Sequence, residues 1–549
     1  MEHQHNSTSI DYDYLVIGSG FGGSVSAMRL AEKGYRVLVV EKGKRWAARD
    51  FPKTNWNLRK YLWIPLLRCF GFLKLDFFKQ VFVLSGVGVG GGSLVYANTH
   101  MMPKEPFYHH PGWKDLADWK KILPPFYEKA KFMLGSSRYE KTNIEDDILA
   151  EVARDLGREK TYARVDYVGV YLGDPGRSTD PYFSGLGPMR KGCTECAGCM
   201  VGCRHEAKNT LDKNYLWFAE KLFNATIEPE TEVKSIEFSP KESVYTIKAS
   251  QGLGLRRKHV SYTSKGVIVS AGVLGTLRLL LNQKYVLKTM TGLSDSLGEN
   301  LMTNSEMLSG VVAADRKLNH GLAISSIFDP DDDTHIELVK FPDHSGSMLR
   351  LAVQAAGPGS PPVRIVKMLG NILLHPWDFV RSVFSRNPAR NSVILLIMQT
   401  LHSSMKMGIR KGLTGWKLFI GQEHGAKVPS YIQAGQDVLY RYAKKVNGVP
   451  QNAISEVTFG LSSTAHILGG CPPGSSPASS VVDHQFKVHG YPNMMILDGS
   501  IVPCNLGVNP SLTITALSEY AMSCVPPKEG AQVETLETRL ADRRLQPTL

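Results

Sequence analysis

The sequence predicts an α/β fold that opens on a Rossmann-like nucleotide-binding unit, and local patterns support it. Residues 13–17 (Asp-Tyr-Leu-Val-Ile) form an apolar run that stops at a glycine, as a buried strand does. Gly18, Gly20 and Gly23 follow, then a helix-like stretch to Lys33 and Gly34. A second apolar run, Arg36 to Val40, ends in Glu41. In this order Gly18 allows a tight turn, Gly20 lets a pyrophosphate reach backbone N–H groups, and Gly23 lets helix and strand pack closely. Glu41 is placed to accept hydrogen bonds from a ribose diol. On this motif alone FAD and NAD both remain open.

Composition agrees with a folded chain. Of the 549 residues, 43% are hydrophobic and 21% charged, which excludes disorder, and the 51 glycines and 30 prolines keep no fixed period. The net charge of +13 is uneven, because residues 351–450 hold 13 Lys and Arg against 3 Asp and Glu. Such an excess can face an anionic membrane surface, rim an apolar-substrate mouth, or simply be solvated. Without zinc-finger spacing, an RNA-binding aromatic signature or a long basic run, no nucleic-acid partner is expected. The N-terminal stretch has no apolar signal core and the chain no run of 18 apolar residues. Eight cysteines without a signal peptide point to a reducing compartment. A cytoplasmic protein is expected, with peripheral membrane contact left open.

Two further segments are rich in glycine. Residues 86–92 carry five glycines, followed by Ser93, Leu94, Val95, Tyr96, Ala97 and Asn98. So many glycines mean close backbone approach to something flat or phosphorylated. Near the C-terminus come Ala465-His466-Ile467-Leu468-Gly469-Gly470, then Asp498-Gly499-Ser500, then Gly507-Val508-Asn509-Pro510-Ser511. With the strand-and-glycine segment Gly266–Gly272, these motifs resemble the glucose–methanol–choline (GMC) flavoprotein oxidoreductases, specifically their cholesterol-oxidase-like branch. The resemblance covers roughly residues 11–525.

That resemblance implies FAD as cofactor and a Rossmann-like FAD-binding domain with an interleaved α+β substrate-binding domain. The FAD-binding domain is expected from 11–110, 205–310 and 455–525, and the substrate domain from 111–204 and 311–454. Carried over by motif, Gly18, Gly20, Gly23 and Glu41 form the ADP cradle, and Val233 on the strand 231–236 meets adenine. Gly91, Gly92 and Ser93 run under pyrophosphate and flavin, with Asn98 beside them, while Asp498 and Gly499 approach the ribityl chain.

Oxidising an alcohol means losing the hydroxyl proton and transferring the carbon-bound hydrogen as hydride. A positioned base contributes about 10²–10⁴-fold to such a step. His466 and Asn509 match the family's His/Asn pair over the reactive edge of the flavin. The sequence departs from the cholesterol-oxidase pattern in two places. Tyr96 stands where an Asn directly follows Ser-Leu-Val, with Asn98 two residues on. The stretch Leu395–Met407 offers Gln399 and His402 but no carboxylate base, leaving His466, His402 or a carboxylate elsewhere, such as Glu306, for that role. The expected substrate is a bulky apolar secondary alcohol, a 3β-hydroxysteroid such as cholesterol, with dioxygen or a redox partner as electron acceptor. A long-chain aliphatic alcohol dehydrogenase and an iron–sulfur/flavin electron-transfer protein are the alternatives.

Cys193, Cys196, Cys199 and Cys203 hold half the cysteines in eleven residues, spaced as in the ferredoxin run for a four-iron cluster. An iron–sulfur cluster, a zinc ion, and metal-free thiols or a local disulfide all remain open. Two stretches suggest apolar surface. Residues 61–73 are apolar but broken by Pro65, Arg68 and Gly71. In 364–374, Ile365, Met368, Leu369, Ile372 and Leu373 recur at helical spacing, with Arg364, Lys367 and Asn371 off the stripe. Each is either core-facing or the basic-rimmed mouth of a greasy channel at a membrane surface. Residues 1–10 and 525–549 are expected to be polar, mobile tails.

Overall fold

The structure, a computed structural model, describes residues 10–254, 257–313, 315–401, 403–412, 415–425 and 427–545. Its first sheet is built on Tyr12–Ile17, which pairs in parallel with Val37–Val40 on one side and Lys258–Val269 on the other. Thr226–Glu228 and Met494–Ile496 add parallel strands, and the antiparallel meander of Thr231–Ser239 and Val244–Gln251 completes seven. Parallel strands buried on both faces need unbroken apolar runs, and Leu15–Ile17, Val37–Val40 and Val267–Val269 are all buried. Gly18 ends the first strand at φ +95°, where a Cβ would stand 2.2 Å from the Ser270 carbonyl oxygen. A Cβ on Gly23 would stand 2.1 Å from the Gly18 carbonyl oxygen, so helix Phe21–Glu32 lies directly on that turn.

The second sheet also has seven strands, in the order 352–354, 448–453, 307–313, 392–399, 334–339, 324–328 and 163–164, every pair antiparallel. Helices Ile144–Asp155 and Gln433–Lys445 share its core. A smaller sheet joins distant sequence: Val81–Gly86 pairs antiparallel with Leu73–Phe77 and parallel with Ser462–Thr464. This pairing brings the glycine segment 86–92 beside Ala465 and His466.

Three segments bear on the expected chain organisation. Residues 111–135 pack with the first sheet rather than the second: Trp113, Trp119 and Tyr127 lie in its core. Their aromatic surface is large, and Phe486 and Tyr520 supply the partners for Trp119. Conversely, strand Met307–Ala313 belongs to the second sheet, although the expected boundary fell at 310. The C-terminal segment is not a loose tail as far as it is described. Helix Leu536–Leu545 buries Leu536, and Glu537 pairs with Arg29 at 2.8 Å. Arg29 is itself buried and also pairs with Glu32 and Glu519, both at 2.9 Å. Of the expected N-terminal tail, residues 1–9 lie outside the described residues, as do 546–549 at the other end.

Candidate active site

A cavity of about 740 Å³ runs between the two large sheets. Gly18, Gly20, Glu41, Gly91, Gly92, Val233, Asp498 and Gly499 line it, together with His466 and Asn509. A Cβ on Gly20 would meet no protein atom within 4 Å, so that backbone faces open space. A Cβ on Gly91, by contrast, would stand 2.7 Å from the Gly20 Cα, which packs the two glycine segments backbone to backbone. No side chain caps the helix that begins after Gly20, leaving first-turn N–H groups free for an anion. Glu41 ties the cradle together: Oε2 accepts from the Ser19 N–H at 3.2 Å and hydroxyl at 2.9 Å, and Oε1 from the N–H groups of Gly43 at 2.9 Å and Gly88 at 3.2 Å. Asp498 accepts from the Thr276 hydroxyl at 2.5 Å and from the Ser500 N–H at 2.8 Å and hydroxyl at 2.6 Å. Burial pushes its carboxyl above the ordinary value, against those donors.

At the opposite part of the wall, His466 Nε2 and Asn509 Nδ2 are 3.3 Å apart. The His466 Nδ1–H donates to Glu306 Oε1 at 2.7 Å, and Glu306 Oε2 accepts the Ala465 N–H at 2.9 Å. Burial alone would lower the pKa of His466, but the carboxylates of Glu306 and Glu337 outweigh it and hold the imidazole above its usual value. Asn509 Nδ2 also donates to Glu337 Oε2 at 3.3 Å, while its Oδ1 is buried without a partner. Sequence reasoning named Glu306 but missed Glu337, which is buried in strand Thr334–Val339 with Oε1 3.6 Å from His335 Nε2. Only the fold shows that all six residues of that strand are buried, and there a carboxylate needs a partner. Gln399 instead donates its amide to the Thr334 hydroxyl at 3.0 Å, and His402 lies outside the described residues.

Comparison with known proteins decides the family. GMC oxidoreductase models match residues 189–303 and 432–518, and an NAD(P)-binding Rossmann-like model matches 16–55. A cholesterol oxidase of Acinetobacter baumannii is 41% identical over 94% of this chain and 95% of its own. One of Mycobacterium tuberculosis is 40% identical over 94% and 92%. The chain belongs to the GMC oxidoreductase family. A long-chain-alcohol oxidase of Arabidopsis thaliana is more distant, at 23% identity over 94% of this chain and 67% of that one. Among solved structures, pyridoxine 4-oxidase of Mesorbium loti shares the fold, with a TM-score of 0.58, 16% identity and coverage of 93% and 99%. This GMC chain is an FAD-dependent alcohol oxidoreductase, and the side-chain-free cradle at Gly20, Gly91 and Gly92 fits that cofactor.

Three residues expected at the cofactor do not line the cavity of this GMC enzyme. Gly23 acts through helix packing. Ser93 is buried, donating to the Gly90 carbonyl at 2.7 Å and accepting the Leu211 N–H at 3.1 Å, so it shapes the glycine turn. Asn98 sits at φ +66°, buried, with both amide atoms unpaired, and its side chain lies beside the Cys199 thiol. The sharp turn after Tyr96 leaves it out of the lining of the main cavity. The four cysteines of 193–203 are free thiols around a separate cavity of about 140 Å³. Among the described residues, no three His, Cys, Asp or Glu are arranged to hold a single metal ion.

Proposed function

We propose that the enzyme oxidises a bulky apolar secondary alcohol, a 3β-hydroxysteroid such as cholesterol, with dioxygen as the acceptor that its relatives' name implies. The observation that carries this reading is the pairing of His466 and Asn509, 3.3 Å apart on one cavity wall, with an apolar stretch that includes Ile324, Val339, Phe341, Met348 and Leu396. Burying about 400 Å² of apolar ligand at about 25 cal/mol per Å² supplies roughly 10 kcal/mol before ordering costs. Bound FAD supplies the hydride acceptor. Gly18, Gly20, Glu41, Gly91, Gly92, Val233, Asp498 and Gly499 hold it.

In its neutral form His466 carries its proton on Nδ1, bonded to Glu306, and the Nε2 lone pair, which faces the Asn509 amide at 3.3 Å, accepts the substrate hydroxyl once the alcohol enters between them. As the hydride leaves, Nε2 takes the hydroxyl proton and the Glu306 carboxylate stabilises the imidazolium. Glu306 is thus a positioning residue. The Asn509 amide steadies the alcohol oxygen, and Glu337 fixes the amide's orientation. An anaerobic panel of sterols, long-chain alcohols and short polar alcohols, read by bleaching of the yellow flavin, tests the reading. Sterols should bleach it fastest; a preference for aliphatic chains moves the substrate class, and no bleaching by any alcohol refutes the reading.

Contact with an anionic lipid surface belongs to the same proposal. Among the described residues no helix is long and apolar enough to cross a membrane. Helices Pro361–Leu374 and Pro376–Phe384 nevertheless expose Leu373 (81%), Trp377 (77%) and Phe384 (72%), with Lys367, Arg381 and Arg386 also exposed around them. The expected polar side of the first helix is inverted at one point. Arg364 is buried, donating to the carbonyls of Ser430 at 3.0 Å and Glu456 at 2.8 Å. Two inward carbonyls thus take the cation, and Leu369 and Leu373 turn outward. Arg350 bonds the Ser382 and Ser385 carbonyls of this pair and belongs to the turn Met348–Leu351, whose Met348 lines the cavity. The exposed pair therefore adjoins the apolar part of the cavity.

A further inference from the structure

The cysteine loop has no part in the chemistry above, yet it is built around a space. Cys193, Cys196, Cys199 and Cys203 all line the 140 Å³ cavity, together with Lys53, Arg204, His205 and Lys208, and among the described residues no carboxylate lines it. The loop curls to present its thiols inward. Glu195 and Ala197 sit at φ +54° and +53° and Gly202 at +84°. A Cβ on Gly198 would come within 3.1 Å of the Cys196 sulfur. Such turns are unfavourable for non-glycine residues unless the surroundings enforce them.

Donors already point at the sulfurs. The Glu195 N–H reaches Cys193 Sγ at 3.3 Å, and the orphaned amide of Asn98, itself buried, lies beside Cys199. Lys208 is fully buried, donating to the carbonyls of Leu94 at 3.0 Å and Cys199 at 2.8 Å without forming an ion pair with any carboxylate. A buried ammonium with no anionic partner is costly, and an anion in the adjoining cavity would offset it.

We infer that this cavity binds a four-iron–four-sulfur cluster through Cys193, Cys196, Cys199 and Cys203. One ion needs its sulfurs at about 2.3 Å from a common centre, and the thiols here are not so arranged. A cubane is much larger than one ion and holds its four thiolates correspondingly further apart. Bound to four thiolates it is anionic, matching a lining that carries Lys53, Arg204 and Lys208 and, among the described residues, no acidic side chain. The Glu195 N–H and the Asn98 amide supply hydrogen bonds of the kind that tune such centres. The site adjoins the main cavity: Met200, next to Cys199, lines that cavity, as do Tyr96 and Ala97, next to Asn98.

The test is anaerobic reconstitution of the full-length holoenzyme with ferrous iron and sulfide, followed by desalting. The expected content is about four iron and four sulfide per chain, with broad visible absorbance beyond that of flavin and a paramagnetic signal on reduction by dithionite. Cys196→Ala, at the exposed thiol, and Cys199→Ala, at the buried one, should each cut the iron at least several-fold. Before reconstitution, the flavin content and melting temperature of iron-free Cys196→Ala should match those of the iron-free parent, which separates ligand loss from misfolding. Iron at background after reconstitution, zinc in its place, or equal iron in parent and both variants overturns the inference. None of these readouts depends on which alcohol the enzyme oxidises.

Discussion

Glu306→Gln isolates the role of the carboxylate behind His466. The glutamine keeps the side-chain shape but has one carbonyl oxygen where the carboxylate uses two, so with that oxygen on Nδ1–H the bond loses its charge and the Ala465 N–H loses its acceptor. Hydrogen bonds to charged groups contribute about 1.5–3 kcal/mol and neutral ones about 0.5–1.5. A loss of about 1–2 kcal/mol in stabilising the imidazolium corresponds to about a 5- to 30-fold slower flavin-bleaching step at saturating alcohol. The pH profile moves as well. His466 works as a base only when neutral, so the rate rises with pH through its pKa, which the two carboxylates hold above the ordinary value. Removing one charge lowers that pKa and shifts the acid limb to lower pH. Linkage has the matching sign: the pair's stabilisation is complete below the unfolded histidine's pKa and fades as pH rises through the folded one. Stopped-flow bleaching of the flavin-loaded variant across the acid and neutral range reads both effects. A parental plateau rate with an unmoved acid limb would falsify the assignment of Glu306 to His466.

Other perturbations separate cradle, fold and surface. Gly20→Ala places its methyl in open space, so the apoprotein should melt as the parent does while flavin affinity, measured by fluorescence titration, falls at least tenfold. Gly18→Ala instead collides with Ser270 at positive φ and should lower unfolding stability by about 2–4 kcal/mol in urea; an unchanged midpoint contradicts the packing account. Arg29→Met strands the buried carboxylates of Glu32 and Glu519 and should cost about 3–5 kcal/mol, read in the same assay. Trp377→Ser with Phe384→Ser should reduce co-sedimentation with vesicles containing anionic lipid, and equal retention of variant and parent removes the lipid-contact proposal.

The nucleotide cradle was legible because its grammar is local: Gly18, Gly20, Gly23 and Glu41 act within one strand–helix–strand unit. His466 and Asn509 were legible through motif resemblance, since 43 residues separate them and no short-range rule joins them. Glu337 was not, because its place beside Asn509 is set by tertiary packing across 172 residues. Asn98 and Ser93 lie in the right segment, but the turn's curvature decides which residues face the cofactor. The docked C-terminal helix escaped notice for a related reason: a charged, proline-containing segment reads as a tail until a buried arginine more than 500 residues away supplies its partner.

The parallel pairing of Ser462–Thr464 with Val81–Val83, and of Met494–Ile496 with Val267–Val269, has a consequence for biogenesis. A ribosome must release nearly the whole polypeptide before either seam can close. The cavity wall that both seams build is therefore complete only once these early and late segments have met. Nascent chains stalled before residue 496 should remain colourless.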